Sequence, residues 1–276
     1  MTNDIQLEVY HGVEASVNAY VFYDDQTAIL VDCLRNSAEA VLLAQKIKGI
    51  GKPLTHILIT HGHPDHYLGL NVMTQAFPEA KVVVTRQEIK DDIIGFSGWM
   101  DTVGWLDSEP SMKVRTAENS EGFDYAGVIG VLNSGELALA GGAALELNSD
   151  YSSAECEHLT TIYSKDLNAF FPGDFVYHGV HAWLAVPEES RAYWKSQLEQ
   201  FKSNYADSNA AIYPGHGKPT DVSVFDTEIQ YIQDFENTVK ASKTRTEAME
   251  KMIGLYPEYQ QADFLLLNSI NLTMAE

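Results

Sequence analysis

Residues 55–66 read Thr-His-Ile-Leu-Ile-Thr-His-Gly-His-Pro-Asp-His. An apolar run of strand character thus opens directly into His61, His63, Asp65 and His66, three imidazoles and a carboxylate within six positions. Side chains of an extended chain alternate with period two, so His61 and His63 face one side. Pro64 biases His63 away from helical dihedrals and keeps that alternation. Asp65 and His66 follow the bend and approach from another direction. Four ligands of the borderline type preferred by Zn, set on a bending loop, close a single tetrahedron poorly but serve two adjacent metals well. The competing reading is a polar loop of solvated histidines, and the density of the cluster argues against it.

The surrounding chain reads as alternating strands and helices. Val17–Phe22 and Ala28–Val31 are strand-like, with Asp24-Asp25 marking the turn between them. Ser37–Ile50 shows helical spacing stopped by Gly51-Lys52-Pro53. After the histidine cluster, residues 67–77 read as a helix and Lys81–Thr85 as another strand. The second half offers strands near 126–132, 143–148, 158–163, 168–172 and 210–213, a helix at 188–203, and a helical segment from Val222 with breaks near Ser242 and Pro257. Two strand-rich halves with helices outside predict an α/β architecture of two packed sheets. A single domain over 1–276 is expected, with a helical, aromatic insertion at about 86–120 and a helical C-terminal extension at about 222–276. The insertion carries Phe96, Trp99, Met100 and Trp105. Core, a cap that binds an apolar group, and a homodimer contact are the three readings open for it.

Composition narrows the function classes. Eighteen Lys+Arg stand against 39 Asp+Glu, a formal charge of −21. Such a chain repels phosphate backbones and anionic lipid, so neither nucleic acid nor membrane is expected as a partner. Only Cys33 and Cys156 are present, so no disulfide framework is expected. The start, Met1-Thr-Asn-Asp-Ile, lacks a basic region and an apolar stretch, and a cytoplasmic protein is expected.

The motif His61-x-His63-x-Asp65-His66 after an apolar strand resembles the metallo-β-lactamase superfamily of metallohydrolases. Downstream, Phe171-Pro172-Gly173-Asp174 resembles the family's Gly-Asp, whose Asp bridges two metals, and Tyr213-Pro214-Gly215-His216-Gly217 resembles its Pro-Gly-His-Gly. Ile29-Leu30-Val31-Asp32 resembles the early strand that ends in Asp. The resemblance implies a four-layer αββα sandwich of two mixed sheets. It also implies two divalent ions, zinc first, with iron or manganese as alternatives. His61, His63 and His158 would hold one ion, Asp65, His66 and His216 the other, and Asp174 would bridge. His158 is the one His in the window ahead of Asp174 where the family places a ligand; its Gly-His-Thr context is missing, and Cys156 and Glu157 precede it. Asp32 would orient a ligating His.

The resemblance implies hydrolysis of a small-molecule carbonyl ester, lactone or thioester by a metal-bridging hydroxide, the lactonase or glyoxalase-II-like branch. Gly173-Asp174 favours that branch, and His63 stands where the di-iron redox branch carries Glu. Asp65, Tyr177 and His181 are the candidate catalytic residues. Tyr177, three residues beyond Asp174, either donates to a developing oxyanion or packs with Phe175 and Trp183. His181 either serves as a general acid or is a hydrogen-bonded loop residue. The alternatives are a β-lactam or phosphodiester hydrolase of the same fold, and a non-catalytic metal-binding or regulatory protein.

Overall fold

A computed structural model describes residues 5–274. Met1–Asp4, part of the segment from which a cytoplasmic protein is expected, lie outside them. The described residues form two compact units, one reaching to residue 149 and including 158–167, the other made of 150–157 and the chain from 168 onward. Where one domain was expected, each unit is described in turn.

In the first unit, Gln6–His11 (β1), Asn18–Tyr23 (β2) and Ala28–Val31 (β3) form an antiparallel meander. Asp24 closes the β2–β3 turn by accepting the backbone N–H groups of Gln26 and Thr27 at 2.8 and 2.7 Å, the local bond that suits Asp to turns. Helix α1 (Ser37–Ile50) starts where Asn36 Oδ1 accepts from Glu39 N at 2.9 Å, and it stops at Gly51, whose φ of 75° few other residues adopt. It leads into Leu54–Leu58 (β4), parallel to β3. Helices α2 (Pro64–Tyr67) and α3 (Leu70–Ala76) follow, then Lys81–Val84 (β5). Next come α4 (Gln87–Thr102), α5 (Tyr125–Val128), and Gly130–Val131 (β6), which completes the sheet in the order β1-β2-β3-β4-β5-β6.

Every residue of β3 is buried, as is required of a strand covered on both faces. The core gathers Leu30, Ile57 and Ile59 from the sheet with Leu43 and Ile47 from α1 and Ile89 and Ile93 from α4. Truncating one of these to Ala is expected to cost about 2–5 kcal/mol. The strand expected near 126–132 is in fact the short α5 followed by two residues of β6. Asp124 Oδ1 captures Gly127 N at 2.8 Å and caps a helical turn there. Of the insertion at 86–120, the α helix ends at Thr102, and beyond it only Pro110–Met112 forms a 3-10 turn. Glu136–Ala138 (β7), Ala144–Asn148 (β8) and Thr161–Ser164 (β9) form an antiparallel ladder within this unit.

The second unit is built on a parallel pair, Ala169–His178 (β10) and Ala211–Gly217 (β11), joined by α6 (Glu188–Tyr205). Helices α7 (Val224–Ala241), α8 (Arg245–Leu255) and α9 (Leu267–Thr273) follow. Phe170, Phe175 and Phe201 meet edge to face at 5.0–5.2 Å. Trp194 is fully buried and its indole N–H donates to the Phe175 carbonyl at 2.9 Å, so the α6 crossover is tied to β10 by a polar bond inside an apolar cluster. The strands are mixed in direction, parallel and antiparallel, with helices around them, the α/β class expected. No helix among the described residues is long and apolar enough to cross a membrane.

Candidate metal centre

The first unit's candidate ligand group grows from the carboxyl ends of β3 and β4. Val31 pairs with Leu58, so Asp32 and the segment Ile59–His61 leave adjacent parallel strands side by side, the place where open α/β sheets receive ligands. Asp32 takes φ of 58°, which turns its carboxylate back across the sheet edge. Its Oδ1 accepts from Thr60 N at 2.8 Å. Its Oδ2 accepts from Thr60 Oγ1 at 2.9 Å and from His66 Nδ1 at 2.8 Å. A carboxylate only accepts, so His66 carries its proton on Nδ1 and its lone pair on Nε2. The Thr60 hydroxyl has spent its one proton on Asp32, so its 3.0 Å contact with His61 Nδ1 runs the other way, from ring to hydroxyl. His61 therefore also presents Nε2 as the basic nitrogen. This is the tautomer in which an imidazole binds a metal, fixed by a partner behind the ring.

His63 is extended, with φ of −80° and ψ of 141°, and Pro64 begins α2, as the proline was expected to require. The His61 ring lies 4.9 Å from that of His63 and 4.1 Å from that of His66, centroid to centroid. Within this unit the candidate ligand atoms divide into His61 with His63 and Asp65 with His66. His61 and His66 are fully buried and Asp65 nearly so. Gly62 permits a close approach, because a Cβ there would fall 2.7 Å from the Asp92 Cβ on α4. His158 is placed differently. Its Nδ1 bonds Asp92 Oδ2 at 2.8 Å and its side chain is 23% exposed. In this unit its ligand atoms group with Asp92 and not with the clustered histidines.

Helix α4 turns one face inward. Ile89, Ile93, Ser97 and Met100 point into the core, and Ser97 Oγ donates to Tyr67 Oη at 2.9 Å. Its outer side carries a row of rings that starts at His63. Phe96 lies 6.4 Å from His63, Trp99 5.3 Å from Phe96, and Trp105 4.8 Å from Trp99, with both indoles exposed.

The second unit's candidate ligand group lies on β10 and β11. Tyr177 and His216 are paired across the strands and their rings stack at 4.5 Å. His216 Nε2 lies 3.1 Å from Asp174 Oδ2, and the Tyr177 hydroxyl lies 3.1 Å from the same oxygen. That hydroxyl also lies 3.3 Å from Glu155 Oε1. Asp174, Tyr177, His216 and Glu155 are all buried. Gly215 makes the arrangement possible: a Cβ there would sit 1.9 Å from Asp174 Oδ1. Among the candidate ligand atoms of this unit, Glu155 groups with Asp174, and His216 touches the same Asp174 carboxylate. Glu155 is the site residue that sequence reasoning passed over, although it falls 19 residues ahead of Asp174, inside the searched window.

His181 is fully buried, and its Nδ1 bonds Tyr231 Oη at 2.8 Å. Burial lowers its pKa from 6.5 to about 4, so the ring is neutral at pH 7. The bond to Tyr231 fits the reading of His181 as a hydrogen-bonded loop residue. Glu228 on α7 accepts from Tyr177 N at 3.2 Å and is buried, which pushes its pKa well up.

Residues 12–216 match the family model described as the metallo-beta-lactamase superfamily. The chain is 30% identical over 159 residues to a probable metallo-hydrolase of Streptococcus pyogenes serotype M6, covering 50% of this chain and 67% of that one. It is 37% identical over 73 residues to an uncharacterized protein of Bacillus subtilis, 26% of this chain and 30% of that protein's length. Among solved structures, a metallo-beta-lactamase family protein of Thermus thermophilus superposes with a TM-score of 0.64 at 17% identity, covering 98% of this chain and 92% of that one. The B3 metallo-beta-lactamase BLEG-1 superposes with a TM-score of 0.57 at 16% identity, covering 79% and 95%. At such identities the likeness speaks to the fold, two mixed sheets with helices.

Proposed function

Because this chain belongs to the metallo-beta-lactamase superfamily of metal-dependent hydrolases, we propose that it hydrolyses a small carbonyl ester, lactone or thioester at a pair of divalent ions, zinc first. The observation that carries the metal part is the hydrogen-bond chain in which Asp32 and Thr60 fix His61 and His66 with Nε2 as the basic nitrogen. A borderline donor set of imidazoles and carboxylates fits divalent transition ions. When bound, the pair supplies a water of lowered pKa and a Lewis acid for the scissile carbonyl.

The roles proposed for the residues come from the family's pattern. By that pattern His61 and His63 would hold one ion, Asp65, His66 and His216 the other, and Asp174 would contribute to both. Asp65 would also accept, at its carboxylate, the proton of the attacking water. Tyr177 holds its phenolic proton beside Asp174 Oδ2, and by turning away from that carboxylate it would donate instead to the oxyanion of the reacting carbonyl. The ring row from His63 through Phe96 and Trp99 to Trp105 receives an apolar acyl or aryl arm of the substrate. That apolar row favours a carbonyl ester, lactone or thioester over a phosphodiester.

The test is metal content per chain on protein purified without added metal, with an aryl ester, an acyl lactone and a chromogenic β-lactam assayed on the same sample. About two ions and turnover of the ester or lactone are expected. Turnover of the β-lactam alone would overturn the substrate class. Metal at one ion or fewer, with no turnover after Zn, Mn or Fe is restored, would sink the dinuclear hydrolase and favour a binding protein.

A further inference from the structure

We infer that Glu228 is a positioning residue for the second unit's ligand group: from α7 it holds the irregular stretch of β10 that turns Asp174 and Tyr177 to the same side. The inference lies wholly within that unit and rests on the reading of Asp174 as a metal ligand.

Asp174 and Tyr177 are three residues apart, and the period of two in a regular strand sends such side chains to opposite faces. Yet the Tyr177 hydroxyl lies 3.1 Å from Asp174 Oδ2. The strand register explains the meeting. Between the pairs Phe170–Ile212 and Tyr177–His216, β10 advances seven positions while β11 advances four. The excess is a bulge, which re-aims side chains and takes backbone groups out of the ladder. Two backbone groups of this stretch are met by side chains from the helices behind it. The Phe175 carbonyl accepts from the Trp194 indole on α6 at 2.9 Å, and the Tyr177 N–H donates to Glu228 Oε2 on α7 at 3.2 Å.

Glu228 stands out on its own helix. It is buried on a face otherwise made largely of Val224, Phe225, Tyr231, Ile232 and Phe235. Among the described residues its Oε1 is buried without a hydrogen-bond partner. A charge is costly in such a place. Burial pushes its pKa well up, which favours the neutral carboxyl. The bulge therefore draws on Glu228 as an acceptor and not as a charge. Without that acceptor the Tyr177 N–H is left buried and unmet, and the stretch from Asp174 to Tyr177 is free to settle toward a regular strand.

The experiment compares Glu228→Gln with Glu228→Met. Both side chains are uncharged and close to Glu in size, but only Gln keeps the carbonyl acceptor. The first readout is amide hydrogen exchange at Tyr177 in the full chain as purified. Slow exchange is expected in the wild type and in Glu228→Gln, and exchange at least about tenfold faster in Glu228→Met, with Ile212 of β11 unchanged as the reference. The second readout is Zn affinity in competition with a chelator. Glu228→Gln is expected to stay within about twofold of the wild type, and Glu228→Met to bind about tenfold more weakly while remaining folded by circular dichroism. Equal acceleration at Ile212 would mean general loosening and would overturn the inference. So would a Glu228→Gln protein as impaired as Glu228→Met, or a Glu228→Met protein with wild-type exchange or wild-type Zn affinity. A wild type that binds no Zn, with the exchange pattern as expected, would instead overturn the metal reading of Asp174 and not the bond that holds the bulge.

Discussion

The candidate ligand groups of the two units are built in opposite ways. In the first unit, four candidate ligands come from six consecutive residues, and a single carboxylate, Asp32, organises two of them through Thr60 and His66. In the second unit, Glu155, Asp174 and His216 come from a loop and two strands, and their neighbours are set by the β10/β11 register and by the Tyr177 hydroxyl. The first half is local and braced from behind; the second depends on tertiary pairing. Damage to a brace is expected to weaken binding in the first half, and damage to the strand pair to remove a ligand outright in the second.

The sharpest break is Asp174→Ala, which is expected to abolish paired metal binding while leaving the chain folded, read by elemental analysis and circular dichroism. Retention of both ions and full activity would remove Asp174 from the bridging role. Gly215→Ala attacks the same carboxylate through its neighbour, since the new methyl would lie 1.9 Å from Asp174 Oδ1. It is expected to cost about 1–3 kcal/mol of stability, seen in denaturant unfolding, along with a loss of metal.

Asp32→Asn tests the other half. It keeps the shape but removes the pure acceptor that fixes the His66 tautomer, and a 10- to 100-fold loss of metal affinity is expected in competition with a chelator. Tyr177→Phe is expected to keep the metals and lower kcat by about tenfold with little change in KM, measured by steady-state kinetics. The smallest effect concerns His181. Its folded pKa of about 4 lies below the ordinary 6.5, so the unfolded chain binds a proton that the folded one refuses. Stability is therefore expected to fall as pH drops from about 6.5 to 4. His181→Gln should flatten that part of a stability profile; an unaltered slope would assign the loss to other groups.

What the sequence disclosed follows the same divide. The histidine cluster, its brace Asp32 and the strand–helix order around them were legible because they are consecutive or obey short periods. α1 appears over Ser37–Ile50 as its spacing and Gly51 foretold. The second half was legible only where a glycine marked it, as at Gly173-Asp174 and Gly215-His216. Glu155 carried no such mark. Its burial and its link to Tyr177 arise from packing, and a His three residues later competed for attention in the same window. The strand misread at 126–132 has a similar origin: its apolar residues suited a strand, and a single Asp124 side chain bond tipped its first three residues into a helix. The ring row on α4 was visible in composition, but only the helix showed which members turn inward.

The backbone at position 32 has an evolutionary consequence. At φ of 58° it tolerates Gly, Asn and Asp and penalises nearly everything else. Among those three, only Asp offers His66 a pure acceptor, since an Asn amide can accept through Oδ1 or present its NH2 instead. Drift at this position therefore has two main exits. Replacement by Asn preserves the turn and loosens the hold on metal, leaving a folded descendant with a weakened centre. Replacement by a branched or bulky residue strains the turn itself, so that stability is its first loss.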